Sequence, residues 1–210
     1  MAARGAASRK RRVTRAVATF LDALGLPPEA RRHPQVAATP RRVAEAFLGE
    51  MVDGYGSDPA AILADGVSRA RGDLVAVTGI DFHAVCPHHL LPYRGVAHVA
   101  YVPAGRVVGF GQLARLVDCF AHRLVIEEEL ARNVAEALMR HLGARGAACL
   151  LDAEQLCLTV RGARRRSARA HAQCFRGQLE SDRGLRARFL QLVATSSSSS
   201  RHGTRGEPKR

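Results

Sequence analysis

Cys86, Pro87, His88 and His89 stand together in the middle of the chain, and Cys157 lies far downstream in a strand-like stretch. A cysteine and a histidine three residues apart, closed by one distant cysteine, supply three protein ligands for zinc and leave the fourth tetrahedral position free for water. That is the arrangement of a catalytic rather than a structural zinc site. The chemistry it points to is hydrolysis by a metal-acidified water.

Composition bounds what surrounds these residues. With 210 residues, 47% of them hydrophobic, the chain reads as one domain with tails, large enough to bury a core. It holds no apolar run near the eighteen residues a membrane span needs, so no membrane partner is expected. The net charge of +13 is uneven, because residues 1–12 contain five cations and no acid and residues 196–210 are again basic. Lys10 and Lys209 are the sole lysines and fall in those tails, which leaves arginine and protonated histidine as the cations of the folded body. A basic surface raises nucleic acid as a partner. The absence of Trp, the scarcity of aromatics and the lack of a reading helix argue against a specific one.

Five scattered cysteines, an odd number with no secretory signal, predict a reducing, cytoplasmic setting rather than a disulfide framework. The acid-free, Ala- and Arg-rich start superficially resembles an organellar transit peptide. The stretch Val13 to Leu24 instead reads on into the domain's own first helix.

Apolar spacing predicts the elements that must position the site. Val13, Val17, Phe20, Leu21 and Leu24 mark a first helix, stopped by Gly25 and Pro27-Pro28. Thr39-Pro40 opens a second, with Val43, Ala44, Phe47, Leu48 and Met51 on one face and Gly54 and Gly56 beyond its end. Residues 57–72 read as a loop, followed by a strand near Leu74–Ile80 and the Cys-Pro-His-His turn. Arg94–Val102 and Val107–Phe110 are predicted as a hairpin about Pro103–Arg106. Helices are expected at Gln112–His122 and Val125–Leu142, strands at Ala147–Asp152, Gln155–Arg161 and Arg169–Phe175, and a helix at Ser181–Val193. Residues 1–12 and 196–210 are read as disordered tails around a domain of residues 13–195, with a helical part at 13–56 and a catalytic part at 73–195. The class is α+β: helices first, then antiparallel hairpins with an inserted helix pair, in a sheet whose edges neighbouring subunits could close.

Six segments in register resemble GTP cyclohydrolase I. They are Thr39-Pro40-Arg41-Arg42-Val43-Ala44, Cys86-Pro87-His88-His89-Leu90-Leu91-Pro92, Ala100-Tyr101-Val102-Pro103, Val108-Gly109-Phe110, Arg115-Leu116-Val117, and Cys157 followed by Arg161-Gly162. The resemblance covers roughly residues 13–193. It implies a tunnelling fold whose sheets close into a barrel in an oligomeric ring, a decamer built from pentamers, with active sites between subunits. It also implies zinc, opening of the imidazole ring of GTP, release of C8 as formate, and formation of 7,8-dihydroneopterin triphosphate for folate or pterin synthesis.

By position, the zinc ligands would be Cys86, His89 and Cys157. His88 would be the unligated imidazole that protonates N7 of the purine. Glu128 would pair with the guanine N1 and 2-amino edge, as two charge-assisted hydrogen bonds allow. Glu127 and Glu129 flank it, so a shift of one residue would change that assignment. Arg42, Arg115 and Arg161 fall at or near the triphosphate, where guanidinium forks suit phosphate oxygens.

The departures from the family pattern bear on substrate. Gln155 stands where the family has a second catalytic histidine, and glutamine does not titrate. Gln112 replaces a phosphate-binding lysine, beside Gly111 in place of serine. Glu45 occupies a position that carries lysine in bacterial members, and Glu127 replaces a glutamine. Arg164, Arg165 and Arg166 could take over phosphate contacts or simply form a solvated run. The leading expectation is a zinc-dependent GTP cyclohydrolase I. A paralogue acting on a different or less phosphorylated purine or pterin, and a catalytically weak regulatory ring subunit, remain as alternatives.

Overall fold

The computed structural model describes residues 2–65, 67–69 and 72–200, with backbone alone for 2–4 and 197–200. Two compact units divide between Asp53 and Gly54.

The N-terminal unit is helical. Helix α1, Ala2–Ala23, starts well before the expected Val13. Residues 2–12, read from sequence as a disordered tail, are its first three turns. Alanine and arginine are strong helix formers and outweigh the single Gly5 in a stretch without proline, so composition that suggests disorder also suits a helix. Short helices α2 (Pro28–Arg32) and α3 (Pro34–Ala37) lead to α4 (Thr39–Ala46), which runs on as one π turn over Phe47–Met51. Proline at the first positions of α2, α3 and α4 fits the one place where its missing N–H costs nothing. Lys10 is not in a tail: on α1 it donates to Glu45 of α4 at 2.8 Å, and Arg41 donates to the same carboxylate at 3.0 and 3.1 Å. The bond from Lys10, with help from Arg41, holds the Glu45 carboxyl below its ordinary range.

The second unit contains an antiparallel sheet in the order β1-β2-β3-β4. The expected loop at 57–72 contains a helix, α5 (Pro59–Ala64), capped by Asp58 accepting from Ala60 N–H at 2.9 Å. Strands β1 (Val75–Val85) and β2 (Pro92–Val102) form a hairpin around the Cys-Pro-His-His segment. A bulge between Val77 and Ile80, with Gly79 at φ 80°, bends β1. The expected hairpin partner Val107–Phe110 is not a strand. Val107 makes a single bridge to Ser68, and Phe110 already opens helix α6 (Phe110–Ala121), because β2 has both edges filled by β1 and β3.

Helix α7 (Glu127–Ala137) follows, continuing as a π turn over Leu138–Leu142 that ends at left-handed Gly143. Strand β3 (Gly146–Gln155) then pairs with β2 and with β4 (Ala170–Gly177). The predicted strand Gln155–Arg161 does not form either: after Gln155 the chain leaves the sheet and turns as helix α8, Leu156–Thr159. Helices α9 (Gln178–Ser181) and α10 (Arg183–Ser200) end the described chain. Residues 196–200 of the expected tail are therefore helical, and 201–210 lie outside the described residues.

Alternation along the strands builds the core. Ala97, Val99 and Tyr101 of β2 join Leu116, Val117, Leu130 and Val134 of α6 and α7 on one face. Ala100 and Val102 point the other way, toward Leu179 and Phe189. This arrangement predicts a local steric test. A Cβ on Gly95 would stand 2.2 Å from Asp152 O and 2.7 Å from Ala153 Cα, whereas one on Gly56 meets nothing within 4 Å. In urea denaturation, Gly95→Ala should cost about 1–3 kcal/mol, and Gly56→Ala should stay within about 0.5 kcal/mol of the parent.

Candidate metal and substrate site

The six residues between β1 and β2 form a tight loop whose backbone is tied at both ends. Cys86 N–H donates to Leu91 O and Leu90 N–H donates to Cys86 O, each at 2.9 Å. Leu90 holds φ 54°, unusual for a branched side chain, and this closes the loop so that His88 and His89 turn outward beside a buried Cys86. Their ring centroids are 6.2 Å apart at 72°, so the two imidazoles face different directions.

Cys157 reaches the same place through sheet register. Tyr93 of β2 pairs with Gln155 of β3, so the residue two beyond Gln155, on the first turn of α8, arrives next to the hairpin loop. The donor atoms of Cys86, His89 and Cys157 all lie within 4.8 Å of one another, with Cys86 Sγ 3.9 Å from His89 Nδ1. A tetrahedral zinc with ordinary Zn–S and Zn–N bonds separates its ligands by about 3.5–3.8 Å. Two sulfurs and one imidazole at this spacing fit that ion with small side-chain adjustments. His88 Nδ1 also approaches Cys86 Sγ, at 3.7 Å, but His88 is not among the three mutually close donors.

Beside the donors is a cavity of about 280 Å³, lined among others by Cys86, His88, Tyr93, Glu127, Gln155 and Cys157. Two strands fix its far wall. Val125 N–H donates to Val85 O at 3.2 Å, and the Tyr93 hydroxyl donates to Val125 O at 3.0 Å. With Val125 held twice, α7 must start at Glu127, whose side chain enters the cavity wall. Glu127 is only 4% exposed, and its Oε2 accepts from Gln155 Nε2 at 2.8 Å. Its Oε1 is buried without a partner. Burial raises the Glu127 carboxyl above its ordinary range, opposed by the Gln155 bond and reinforced by Glu128. Burial also raises Cys157, with the Cys86 thiol adding to the shift, and pushes the Tyr93 hydroxyl well up.

The other sequence-predicted residues are distributed as follows. Glu128 is exposed and lies on the cavity rim. Arg161 is exposed just past α8, close enough for its charge to oppose the rise at Cys157. Arg115 and Gln112, on α6, both donate to Asp65, at 3.2 and 3.4 Å, and do not line the cavity. Arg42 is exposed on α4 of the N-terminal unit. The sequence does not single out Tyr93 as a site residue, and it marks Glu127 only as a replacement for a glutamine and as a neighbour of the expected guanine-binding Glu128. The one signal for Glu127 was its position two residues after a buried valine at a helix start.

A family model described as GTP cyclohydrolase I matches residues 13–194. A GTP cyclohydrolase 1 of Ralstonia nicotianae is 47% identical over 155 residues, covering 74% of each chain. One of Chromobacterium violaceum is 44% identical over 179 residues, covering 85% of each. The crystal structure of an archaeosine synthase QueF-like protein in the apo form overlays with a TM-score of 0.43 and 18% identity, over 51% of this chain and 97% of that one.

The donor geometry gives a metal test. Metal analysis after dialysis should find one zinc per chain, lost in Cys157→Ser and kept in His88→Ala. Because burial holds the Cys157 thiol high and zinc must displace its proton, affinity should rise with pH across the neutral range.

Proposed function

The chain belongs to the GTP cyclohydrolase I family and is a hydrolase of that type, and we propose that it opens the imidazole ring of GTP, releases C8 as formate and forms 7,8-dihydroneopterin triphosphate. The observation that carries this reading is the convergence of Cys86, His89 and Cys157 at one end of a cavity whose wall also holds His88 and Glu127. In this reading the enzyme is cytoplasmic and works as a homo-oligomeric ring, a decamer. Edge strands β1 and β4, each paired on one side within the described sheet, support closure of the sheet by neighbours.

When bound, zinc supplies a Lewis acid that brings the pKa of its water toward about 7. The remaining work belongs to side chains. Addition of water across C8=N7 places OH on C8 and a proton on N7, and His88, which lines the cavity, delivers that proton in this reading. The C8–N9 bond then breaks as C8=O forms, and a second water releases formate from N7. Closure of the pterin ring expels one water, so one is consumed net.

Glu128 at the rim anchors the guanine edge, where an ionised carboxylate accepts two N–H donors. Arg161 neutralises phosphate near the site. Arg42, Arg115 and Gln112 are assigned in this reading to the triphosphate, at a site completed by neighbouring subunits of the ring. The engagement of both Arg115 and Gln112 by Asp65 supports a second reading, a less phosphorylated purine or pterin as substrate.

Zinc-loaded full chain incubated with GTP, GDP, GMP and guanosine, with formate and pterin fluorescence followed together, tests these readings. Formate and fluorescence from GTP are the expected result. Formate from the less phosphorylated compounds alone would establish the second reading, and none from any of them would reject both. His88→Ala should lower the rate by about 10²–10⁴ while retaining zinc.

A further inference from the structure

Ring opening needs more than one proton transfer, and His88 accounts for one. Among the groups of the cavity wall, Cys86 and Cys157 are committed to the metal donor set, and the Tyr93 hydroxyl is spent on Val125 O. Glu128 is exposed at the rim. Glu127 remains: a carboxyl in the wall, buried, with one oxygen held by an amide and the other unpartnered.

A buried acid with one unmet oxygen carries an uncompensated desolvation cost, and a proton-carrying role accounts for its being kept. The Gln155 amide can donate to Oε2 whether the carboxyl is ionised or protonated. The side chain therefore keeps one orientation through a full proton cycle, which a proton carrier requires.

We propose that Glu127 is a second proton-transfer group of this site, relaying a proton from the C8 hydroxyl to N9 as the ring opens, with Gln155 as its positioning residue. The proposal rests on the ring-opening reading above. In the step, the hydroxyl O–H breaks and its electron pair forms C8=O. The C8–N9 pair goes to N9, and the proton taken by Glu127 from oxygen is handed to N9. The carboxylate is regenerated, and no oxidant or further reactant is needed.

The groups facing Glu127 set its titration. Glu128 adjoins it on α7, and Asp152 on β3 also disfavours its ionised form. His171 on β4 favours ionisation. Tyr93 from β2, and His88 with the two thiols from the metal side, share its cavity. Burial outweighs the favourable contacts and leaves the carboxyl higher than an ordinary glutamate, nearer the range in which it can both accept and release a proton.

The test compares zinc-loaded wild type, Glu127→Gln and Glu127→Ala, with zinc content and stability measured alongside formate release from GTP. Glu127→Gln can keep the bond from Gln155, so it should fold and hold zinc while its turnover falls about 10²–10⁴-fold. Its pH–rate profile should lose the limb that wild type shows on the acid side, and added acetate should restore part of the rate of Glu127→Ala. A group raised on folding makes the native state bind more protons, so wild type should lose stability relative to Glu127→Gln as pH rises through and above the ordinary carboxylate range.

An active wild type whose Glu127→Gln variant keeps its rate within about threefold and an unchanged pH profile overturns the proposal alone. So does a stability difference that does not vary with pH. A wild type that yields no formate from GTP, GDP, GMP or guanosine overturns the ring-opening reading and this proposal with it.

Discussion

The site depends on the register in which β2 meets β3. Tyr93 opposite Gln155 brings together two segments more than sixty residues apart in sequence, and each end of that pair does something different. From Tyr93 the hydroxyl reaches Val125 and sets where α7 starts. Past Gln155 the chain turns into α8 and delivers Cys157 to the hairpin loop that holds Cys86 and His89. A slip of one residue would turn every side chain of the strand to the opposite face, removing the thiol from the metal donors and the amide from Glu127 together. The buried alternation of Ala97, Val99 and Tyr101 against the helices makes that slip expensive, so the core protects the register and the register builds the site.

Much of this could be read before any coordinates. The donor trio was visible because ligand type and spacing carry chemistry directly, and the two central helices because their apolar stripes are long and regular. Local signals that compete were harder. Asp58-Pro59 is a clear cap and first-turn signal, yet it sat among turn formers and was read as loop. Val107–Phe110 has strand composition, but β2, its expected hairpin partner, is already paired on both edges. Leu156–Thr159 continues a strand-like run, and what bends it is the end of the ladder at Gln155, a tertiary fact. The basic N-terminus has the charge of a tail and the propensity of a helix, and the helix it forms is what brings Lys10 to Glu45.

That pair changes what the lysine-poor composition means. Glu45 departs from the residue expected at its position, but its charge is met within its own unit by Lys10 and Arg41, so the substitution is a local exchange of partners. Such exposed pairs are worth little individually. Their significance is that an acid at Glu45 does not stand as an unopposed charge. Gln112 is different: with Arg115 it turns to Asp65, so a phosphate at this face would have to compete with a carboxylate already in place.

In the sequence Glu127 and Gln155 stand as two unrelated departures from the family pattern, one an acid in place of an amide and the other an amide in place of an imidazole. In the fold they are the two ends of one 2.8 Å hydrogen bond across the cavity wall. Neither substitution makes physical sense alone. A buried glutamate without the amide would leave both oxygens unmet, and a glutamine without the acid would lose its acceptor. Taken as a pair they satisfy each other, with the titratable member on the helix and the amide on the strand, and leave one oxygen unpartnered in a wall that also carries His88, Cys86 and Cys157. On the proposal above, the Glu127 carboxyl takes the proton-carrying part that the Gln155 amide, which does not titrate, cannot play.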